Sequence, residues 1–265
     1  MYSSLTLLTK YVQYLIKGKS GKGHGVHSPF VFAFIKEVLN QKEITPLACK
    51  IESRRKLLEG NKQKIEVWDR GAGSRQTDQN WRSIQSIANA ALKPKKYSQL
   101  LYKVVAYYKP ANILEMGTSL GITTCYLAAG NGNAQVYTLE GAPNVVKLAK
   151  ETFRSVGLDQ IELIEGDFNA TLPAYLHKID AIGLAYIDGN HRYAPTMQYF
   201  NSLLEKSVEE TILIFDDIHW SAEMEKAWEE IKAHPAVTLT IDLFFIGLVF
   251  VRKAQKEKEH FIISY

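Results

Sequence analysis

Residues 113–124, ILEMGTSLGITT, predict a buried strand, a turn that contains two glycines and the beginning of a helix. Gly117 and Gly121 allow the backbone to turn sharply and to approach a ligand, and the free N–H groups at a helix N-terminus bind carboxylates and phosphates. Glu115 precedes both glycines, and the glycine spacing differs from the Gly-x-Gly-x-x-Gly fingerprint of dinucleotide-binding proteins. The stretch therefore predicts the first strand–turn–helix unit of a ligand-binding α/β fold.

The alternation of strands and helices continues from residue 96 to the C-terminus. Single helices separate most of the predicted strands, which implies a parallel sheet with right-handed crossovers. The last apolar stretch, VTLTIDLFFIGLVFV at residues 237–251, contains Asp242 and a glycine and is too short to span a bilayer, so it predicts an antiparallel hairpin. The other predicted strands are NILEMG, QVYTLEG, IELIEGD, DAIGLAYIDG and TILIFDD.

Residues 1–95 are predicted to form a basic, mainly helical extension or lid in front of a domain at residues 96–265. Residues 1–96 hold 18 Lys and Arg against 7 Asp and Glu, whereas the rest of the chain holds 14 against 21. Such a basic segment can attract nucleic acid, anionic lipid or an anionic substrate, or its lysines can simply be solvated. Near its start, apolar residues recur at helical spacing: Leu5, Leu8, Val12, Leu15 and Ile16.

Composition indicates a globular protein of a reducing compartment. The hydrophobic share of 46% and the charged share of 23% are ordinary for soluble proteins. Cys49 and Cys125 lie far apart and fit no disulfide scaffold or zinc pattern. The N-terminus lacks the basic start and the cleavage site of a signal peptide. We therefore expect a cytoplasmic protein with no membrane partner. The segment DRGAGSR, residues 69–75, is interpreted as a loop rather than a phosphate cradle, because no strand–helix context surrounds it.

Acidic residues end the second and third predicted strands. Glu140 ends QVYTLE, where nucleotide-binding folds place an acid that accepts hydrogen bonds from a ribose diol. Asp167 follows the third strand and could accept a bond from an adenine amino group beside the ring of Phe168, or it could cap the following helix. With Glu115 on the first strand, three successive strands end in an acid, and this repetition favours a nucleotide-like ligand.

These residues resemble those of the class I S-adenosylmethionine-dependent methyltransferases, over about residues 96–265. The resemblance implies a Rossmann-like, doubly wound, seven-stranded sheet that is mostly parallel and ends in an antiparallel hairpin. It also implies that the loop from Glu115 to Gly121 holds the methionine part of the cofactor, with Thr123 near its carboxylate. Glu140 would bind the ribose. The implied cofactor-binding set is Glu115, Gly117, Ser119, Gly121, Thr123, Glu140, Asp167 and Phe168.

Within this class, the chain is most similar to the catechol O-methyltransferase-like enzymes, which use a divalent metal and act on small molecules. Those enzymes place an acid after the fourth strand, a base three residues later and an acid–amide pair after the fifth strand. The matching residues here are Asp188, His191 and the pair Asp216 and Asp217. Histidine stands where lysine is usual and Asp217 where the amide is usual, which leaves a base in place and changes the charge of the metal site. Gln99 matches a glutamine of their cofactor-covering helix.

The stretch AYIDGNHRY, residues 185–193, therefore predicts the catalytic turn. Asp188, Asp216 and Asp217 are predicted to surround one divalent cation such as Mg²⁺, which prefers hard oxygen ligands, and Asp188 is also assigned to the cofactor-binding set. His191 is predicted to take the acceptor's proton, so activity should rise with pH through about 6 to 7 as an imidazole loses its proton. The alternative is that the acids are solvated loop residues and that His191 and Arg192 belong to a surface turn.

The favoured hypothesis is an enzyme that transfers the methyl group of S-adenosylmethionine to an oxygen of a small hydroxylated substrate. The narrower form of this hypothesis is an aromatic substrate. One alternative keeps the cofactor, drops the metal and methylates oxygen or nitrogen of another small acceptor. Another is an RNA-binding or RNA-modifying protein that uses the basic N-terminal region. The absence of a recognisable aromatic and basic RNA-binding motif in the sequence disfavours a nucleic-acid partner. A homodimer is left open.

Overall fold

The computed structural model describes residues 1–67, 81–158, 160–253 and 257–265. These residues form two compact units, which we call the terminal unit, Met1–Gln41 with Ile179–Tyr265, and the central unit, Lys42–Lys178. The predicted domain boundary at residue 96 stays a prediction. The segment DRGAGSR lies outside the described residues.

The central unit contains three parallel strands with β4 in the middle. The register aligns Glu115 with Thr138 and Glu140 with Glu165, so the carboxyl ends of the strands lie at one edge. A short antiparallel pair of strands, β1 and β2, precedes them in a region where no strand is predicted. The strands are β1 Lys64–Glu66, β2 Trp81–Ser83, β3 Asn112–Met116, β4 Gln135–Glu140 and β5 Ile161–Glu165. The helices are α3 Ala48–Gly60, α4 Ile84–Ala91, α5 Lys95–Tyr108, α6 Ile122–Gly130, α7 Pro143–Val156 and α8 Phe168–Leu176.

The core of the central unit explains why these segments adopt helices and strands. The apolar residues of β3 are buried, as expected for a strand covered on both faces. Helix α7 begins with Pro143, whose missing N–H is not needed in the first turn, and ends before Gly157 in a left-handed conformation. Helix α3 packs on α6 and α7 and buries Ile51 and Leu58.

The terminal unit contains five strands in the order β10-β8-β9-β7-β6. The β6–β7 and β8–β10 pairs are parallel, whereas β9 runs antiparallel to β7 and β8. The strands are β6 Ile182–Ile187, β7 Ser207–Asp216, β8 Leu239–Asp242, β9 Ile246–Phe250 and β10 Glu259–Ile262. The helices are α1 Ser4–Lys17, α2 Pro29–Phe34, α9 Tyr193–Leu204 and α10 Ala222–Ala233, and a π-helical segment, Ile35–Leu39, continues α2.

The structure confirms the predicted fold class, an α/β fold with mostly parallel main strands, a C-terminal antiparallel hairpin and helical N-terminal residues. Among the described residues the main strands number eight and not the predicted seven, because β10 pairs in parallel with β8 beyond the predicted hairpin. Strand β10 has only four residues, and the first two, Glu259 and His260, are polar, so its apolar run is too short to predict a strand. Within the described ranges, no helix has the length and apolar character that crossing a membrane requires.

Candidate functional site

Glu115 lies fully buried in β3 and is held by hydroxyl groups of its neighbours. Its Oε2 accepts hydrogen bonds from the Thr124 hydroxyl at 2.5 Å and from the Thr138 hydroxyl at 2.6 Å. Thr138 Oγ1 also lies 2.6 Å from Thr118 Oγ1. A buried carboxylate needs such partners. Glu115 therefore ties together β3, β4, α6 and the turn after β3.

The turn after β3 departs from ordinary backbone conformation at three positions. Gly117, Ser119 and Gly121 have φ values of 107°, 48° and 80°. A Cβ atom at Gly121 would lie 2.6 Å from the Phe153 ring, so packing against α7 as well as backbone conformation requires glycine there. Ser119 adopts the left-handed region without being glycine, and such conformations cluster at ligand-binding sites.

Glu140 links this turn to the end of β4. Its Oε2 accepts the Ser119 N–H at 2.9 Å, and its Oε1 accepts the Ala142 N–H at 3.0 Å. The two backbone bonds fix the orientation of the carboxylate. Each carboxylate oxygen can accept more than one hydrogen bond, as the binding of a diol would require. The geometry fits the predicted ribose-binding role, which stays a prediction.

The other predicted cofactor residues of the central unit have identifiable local roles. Asp167 caps α8, because its Oδ1 accepts the Asn169 N–H at 2.9 Å, and Phe168 is the first residue of that helix. Thr123 is buried in the first turn of α6. Asp167 therefore caps the following helix, which was the alternative to adenine binding. Adenine binding by Asp167 stays a prediction.

Gln99 projects from α5 to the hydroxyl of Tyr126. Burial, together with a hydrogen bond that the hydroxyl donates to Glu52 at 2.8 Å, raises the pKa of Tyr126, and the bond with Gln99 partly opposes that rise. Glu52 also pairs with Arg55 at 3.2 Å. Gln99 thus belongs to a polar network between α3, α5 and α6, and its predicted contact with a cofactor stays untested.

In the terminal unit, Asp188, His191 and Asp216 come together. The register aligns Ile187 with Phe215, so Asp188, directly after β6, and Asp216, the last residue of β7, lie at the same edge. One ligand atom from each of the three side chains lies within 4.8 Å of the others, and His191 Nε2 lies 3.5 Å from Asp188 Oδ1. Asp216 is fully buried. Carboxylates this close repel each other unless a cation or a proton intervenes.

The donor set of this group suits a divalent cation. Carboxylate oxygens bind Mg²⁺ and Mn²⁺, and an imidazole nitrogen extends the set towards transition metals. Asp217, which the sequence predicts as the third acid, is not one of the three grouped residues. Its φ is 53° and its N–H donates to the Phe245 carbonyl at 2.7 Å, so the backbone turns directly after Asp216. A role for Asp217 in metal binding stays a prediction.

Tyr186 contacts the group of Asp188, His191 and Asp216, and the sequence analysis did not predict this contact. Its buried hydroxyl donates to Asp188 Oδ2 at 3.0 Å. Residues two apart on a strand share a face, so the spacing from Tyr186 to Asp188 was the signal that could have found it. In the adjoining turn, Arg192 Nε donates to Asn190 Oδ1 at 3.0 Å, which gives Arg192 a local structural partner.

A second titratable cluster surrounds His219, which lies after β7. The His219 ring lies between Asp242 Oδ2 at 2.8 Å from Nε2 and Glu225 Oε1 at 3.1 Å from Nδ1. Burial alone lowers the pKa of His219, but the bonds and charges of Asp242 and Glu225 outweigh burial and raise the pKa above its ordinary value. Contacts from residues so distant in sequence could not be inferred from spacing.

Comparison with known proteins agrees with this architecture. Residues 114–218 match the family described as a methyltransferase domain. A search of curated proteins found no significant match. Residues 114–218 therefore resemble a methyltransferase domain, as the sequence predicts.

Three solved structures illustrate the likeness in fold. An O-methyltransferase from Bacillus cereus, in complex with SAH, is 20% identical with a TM-score of 0.57, covering 83% of this chain and 97% of its own. A SAH-bound methyltransferase from Podospora anserina is 14% identical with a TM-score of 0.59, covering 96% and 98%. An O-methyltransferase from Streptomyces achromogenes, in complex with SAM, is 18% identical with a TM-score of 0.53, covering 61% and 82%. At these identities the likeness shows the fold.

Proposed function

We propose that this chain, which carries a methyltransferase domain over residues 114–218, transfers the methyl group of S-adenosylmethionine to an oxygen of a small hydroxylated acceptor with the help of a divalent cation. The grouping of Asp188, His191 and Asp216 is the observation that carries the cation-assisted reaction. An aromatic acceptor with neighbouring hydroxyl groups is the first to test. We place the reaction in the cytoplasm, in keeping with two free cysteines.

The proposal for the cofactor rests on the turn after β3 and on Glu140. Glu140 is oriented by Ser119 and Ala142, so its oxygens are fixed before a ligand arrives. Preorganised acceptors lose less entropy on binding than mobile ones do. The N-terminus of α6 follows the same turn and favours the carboxylate of the methionine part. Both SAH-bound and SAM-bound structures occur among proteins of this fold.

The proposal for the cation rests on the fit of its donor set. Asp188 and Asp216 would hold the ion through oxygen, and His191 could add a nitrogen. When bound, a divalent cation lowers the pKa of an acceptor hydroxyl and fixes its direction. Tyr186 keeps Asp188 in place through its hydroxyl. Outer hydrogen bonds of this kind orient metal-binding side chains.

The chemical step is an in-line displacement. The acceptor oxygen forms a bond to the methyl carbon while the carbon–sulfur bond breaks, and the sulfur keeps the electron pair. The acceptor's proton passes to the His191 imidazole, which general-base catalysis requires to be neutral. A fixed direction of attack supplies much of the rate in such reactions. If His191 instead binds the cation, the proton leaves through water.

The test is transfer of a labelled methyl group from S-adenosylmethionine to catechol. We expect activity with Mg²⁺ or Mn²⁺, loss of activity with a chelator and recovery when the cation is restored. His191→Ala should lower the transfer rate by roughly two to four orders of magnitude at saturating cation. Affinity for S-adenosylmethionine should stay nearly unchanged.

The matched control is His177→Ala, which removes an exposed imidazole at the end of α8. Calorimetric titration with Mn²⁺ distinguishes the two roles of His191, because only a ligand role predicts weaker cation binding in His191→Ala. Chelator-resistant activity would exclude the cation and favour the metal-independent alternative. Full activity in His191→Ala would exclude the base.

A further inference from the structure

Helix α1 is fixed to the terminal unit through its inner face. The ring of Tyr11 lies 5.0 Å from that of Phe244, and the ring of Tyr14 lies 5.3 Å from it. Lys10 pairs with Glu225 at 2.9 Å. Because these contacts already order the helix, a partner that binds its other face need not supply the free energy of helix formation.

The outer face of α1 carries an exposed apolar seam. Its side chains are between 45% and 80% exposed, and contiguous apolar surface of this kind marks an interaction site. Within α1, Leu5, Leu8, Val12 and Leu15 are separated by three, four and three residues, which is the heptad spacing of a helix that pairs with another helix. The seam consists of Leu5, Leu8, Val12, Leu15 and Ile16 of the helix and of Met1, which precedes the helix.

The charges of α1 favour a helix of the same sequence as the partner. Ser4, Thr9 and Tyr11 flank the seam and carry no charge at neutral pH, so two copies would meet without like charges facing each other. The two lysines of the helix, Lys10 and Lys17, lie on the side away from the seam. A membrane-surface helix would instead present a strongly basic free face, whereas here Lys10 is engaged by Glu225.

We infer that the seam of α1 binds the same seam of a second copy of this chain in a two-fold symmetric dimer. A symmetric contact needs one self-complementary patch, which the uncharged apolar seam provides. Two such seams, with six side chains each, would bury on the order of 1,000 Å², which is the lower limit for a specific interface. The inference does not depend on the proposed methyl transfer.

The test compares the full chain with Leu8→Glu by light scattering during size-exclusion chromatography. Leu8 lies near the middle of the seam and is 58% exposed, so glutamate there should leave the folded chain intact but bring two carboxylates together in the dimer. We expect wild type to have twice the mass of one chain at micromolar concentration and Leu8→Glu to have the mass of one chain. Circular dichroism should show equal folding.

The control is Gln13→Glu, which adds the same charge at an exposed position of α1 outside the seam and should stay dimeric. A monomeric wild type, or a dimeric Leu8→Glu, would overturn the inference. Sedimentation with phosphatidylserine vesicles tests the alternative that the seam binds a lipid surface. If monomeric wild type binds these vesicles and Leu8→Glu does not, the seam binds lipid and the inference is wrong.

Discussion

The carboxylate of Glu140 connects two turns through its two oxygens. One oxygen accepts the N–H of Ser119, a residue with an unusual left-handed backbone, and the other accepts the N–H of Ala142. The same side chain therefore shapes the turn after β3 and presents acceptors at the end of β4. Loss of the carboxylate should affect both the ligand and the turn that surrounds it.

We expect Glu140→Ala to weaken binding of S-adenosylmethionine by roughly 1 to 3 kcal/mol, because both the acceptors for the ribose and the support of Ser119 disappear. Isothermal titration calorimetry measures the change. Glu162→Ala is the matched control, since Glu162 lies exposed on the neighbouring β5. Equal affinities of Glu140→Ala and wild type would show that Glu140 does not contact the cofactor.

The sequence predicted which types of residue occur in the candidate site better than it predicted which side chains contact each other. Acids at strand ends could be predicted because strands end where apolar runs end, and Asp188 directly follows β6 while Asp216 is the last residue of β7. The grouping of His191 with these acids in place of Asp217 could not be predicted, because it depends on the backbone turn at Asp217. Side-chain direction in a turn is not encoded by spacing.

At the scale of elements, Glu225 joins α1 to α10 and to the segment after β7. Its Oε2 accepts bonds from the Tyr2 hydroxyl at 2.8 Å and from Lys10 at 2.9 Å, while Oε1 faces His219. Burial raises the pKa of Glu225, but the bonds from Lys10, Tyr2 and His219 outweigh burial and hold the pKa below its ordinary value. The ionised form is therefore the one that fastens α1.

The depressed pKa of Glu225 predicts a stability that depends on pH. A carboxyl whose pKa is lower in the folded state stabilises the fold above its unfolded pKa, about 4.3, and this stabilisation is lost as pH falls through the folded value. Glu225→Gln should therefore destabilise the protein by about 1 to 3 kcal/mol at pH 7 and by less at more acidic pH.

Thermal unfolding of wild type and of Glu225→Gln, each at pH 7 and at a more acidic pH, measures how the destabilisation changes with pH. Glu229→Gln is the control on the same helix, because Glu229 is largely exposed and its pair with Lys232 should contribute little. A Glu225→Gln effect that does not change with pH would contradict the role of the ionised carboxylate.

Apolar periodicity predicted α1 as a helix but not the face that packs. Leu5 and Leu8 recur at helical spacing yet are exposed, whereas Tyr11 and Tyr14 contact Phe244. A periodic pattern identifies an apolar face without saying whether the chain itself covers it. The exposure of this face is what the structure adds, and it underlies the inferred dimer.

At the scale of the whole molecule, the N-terminal residues are divided between the two units. Residues up to Gln41 group with the C-terminal strands, and residues from Lys42 group with β3, β4 and β5. The succession of strands and single helices could be predicted because each strand is a short apolar run. The grouping of the N-terminal helices could not, because it depends on contacts between residues far apart in sequence.

Calorimetric titration of the wild-type protein with S-adenosylmethionine measures whether this chain binds the cofactor that the proposed reaction requires. We expect saturable binding of S-adenosylmethionine and no comparable binding of NAD, because the turn after β3 lacks the dinucleotide fingerprint. Failure to bind S-adenosylmethionine, or tighter binding of NAD, would show that the chain does not use S-adenosylmethionine.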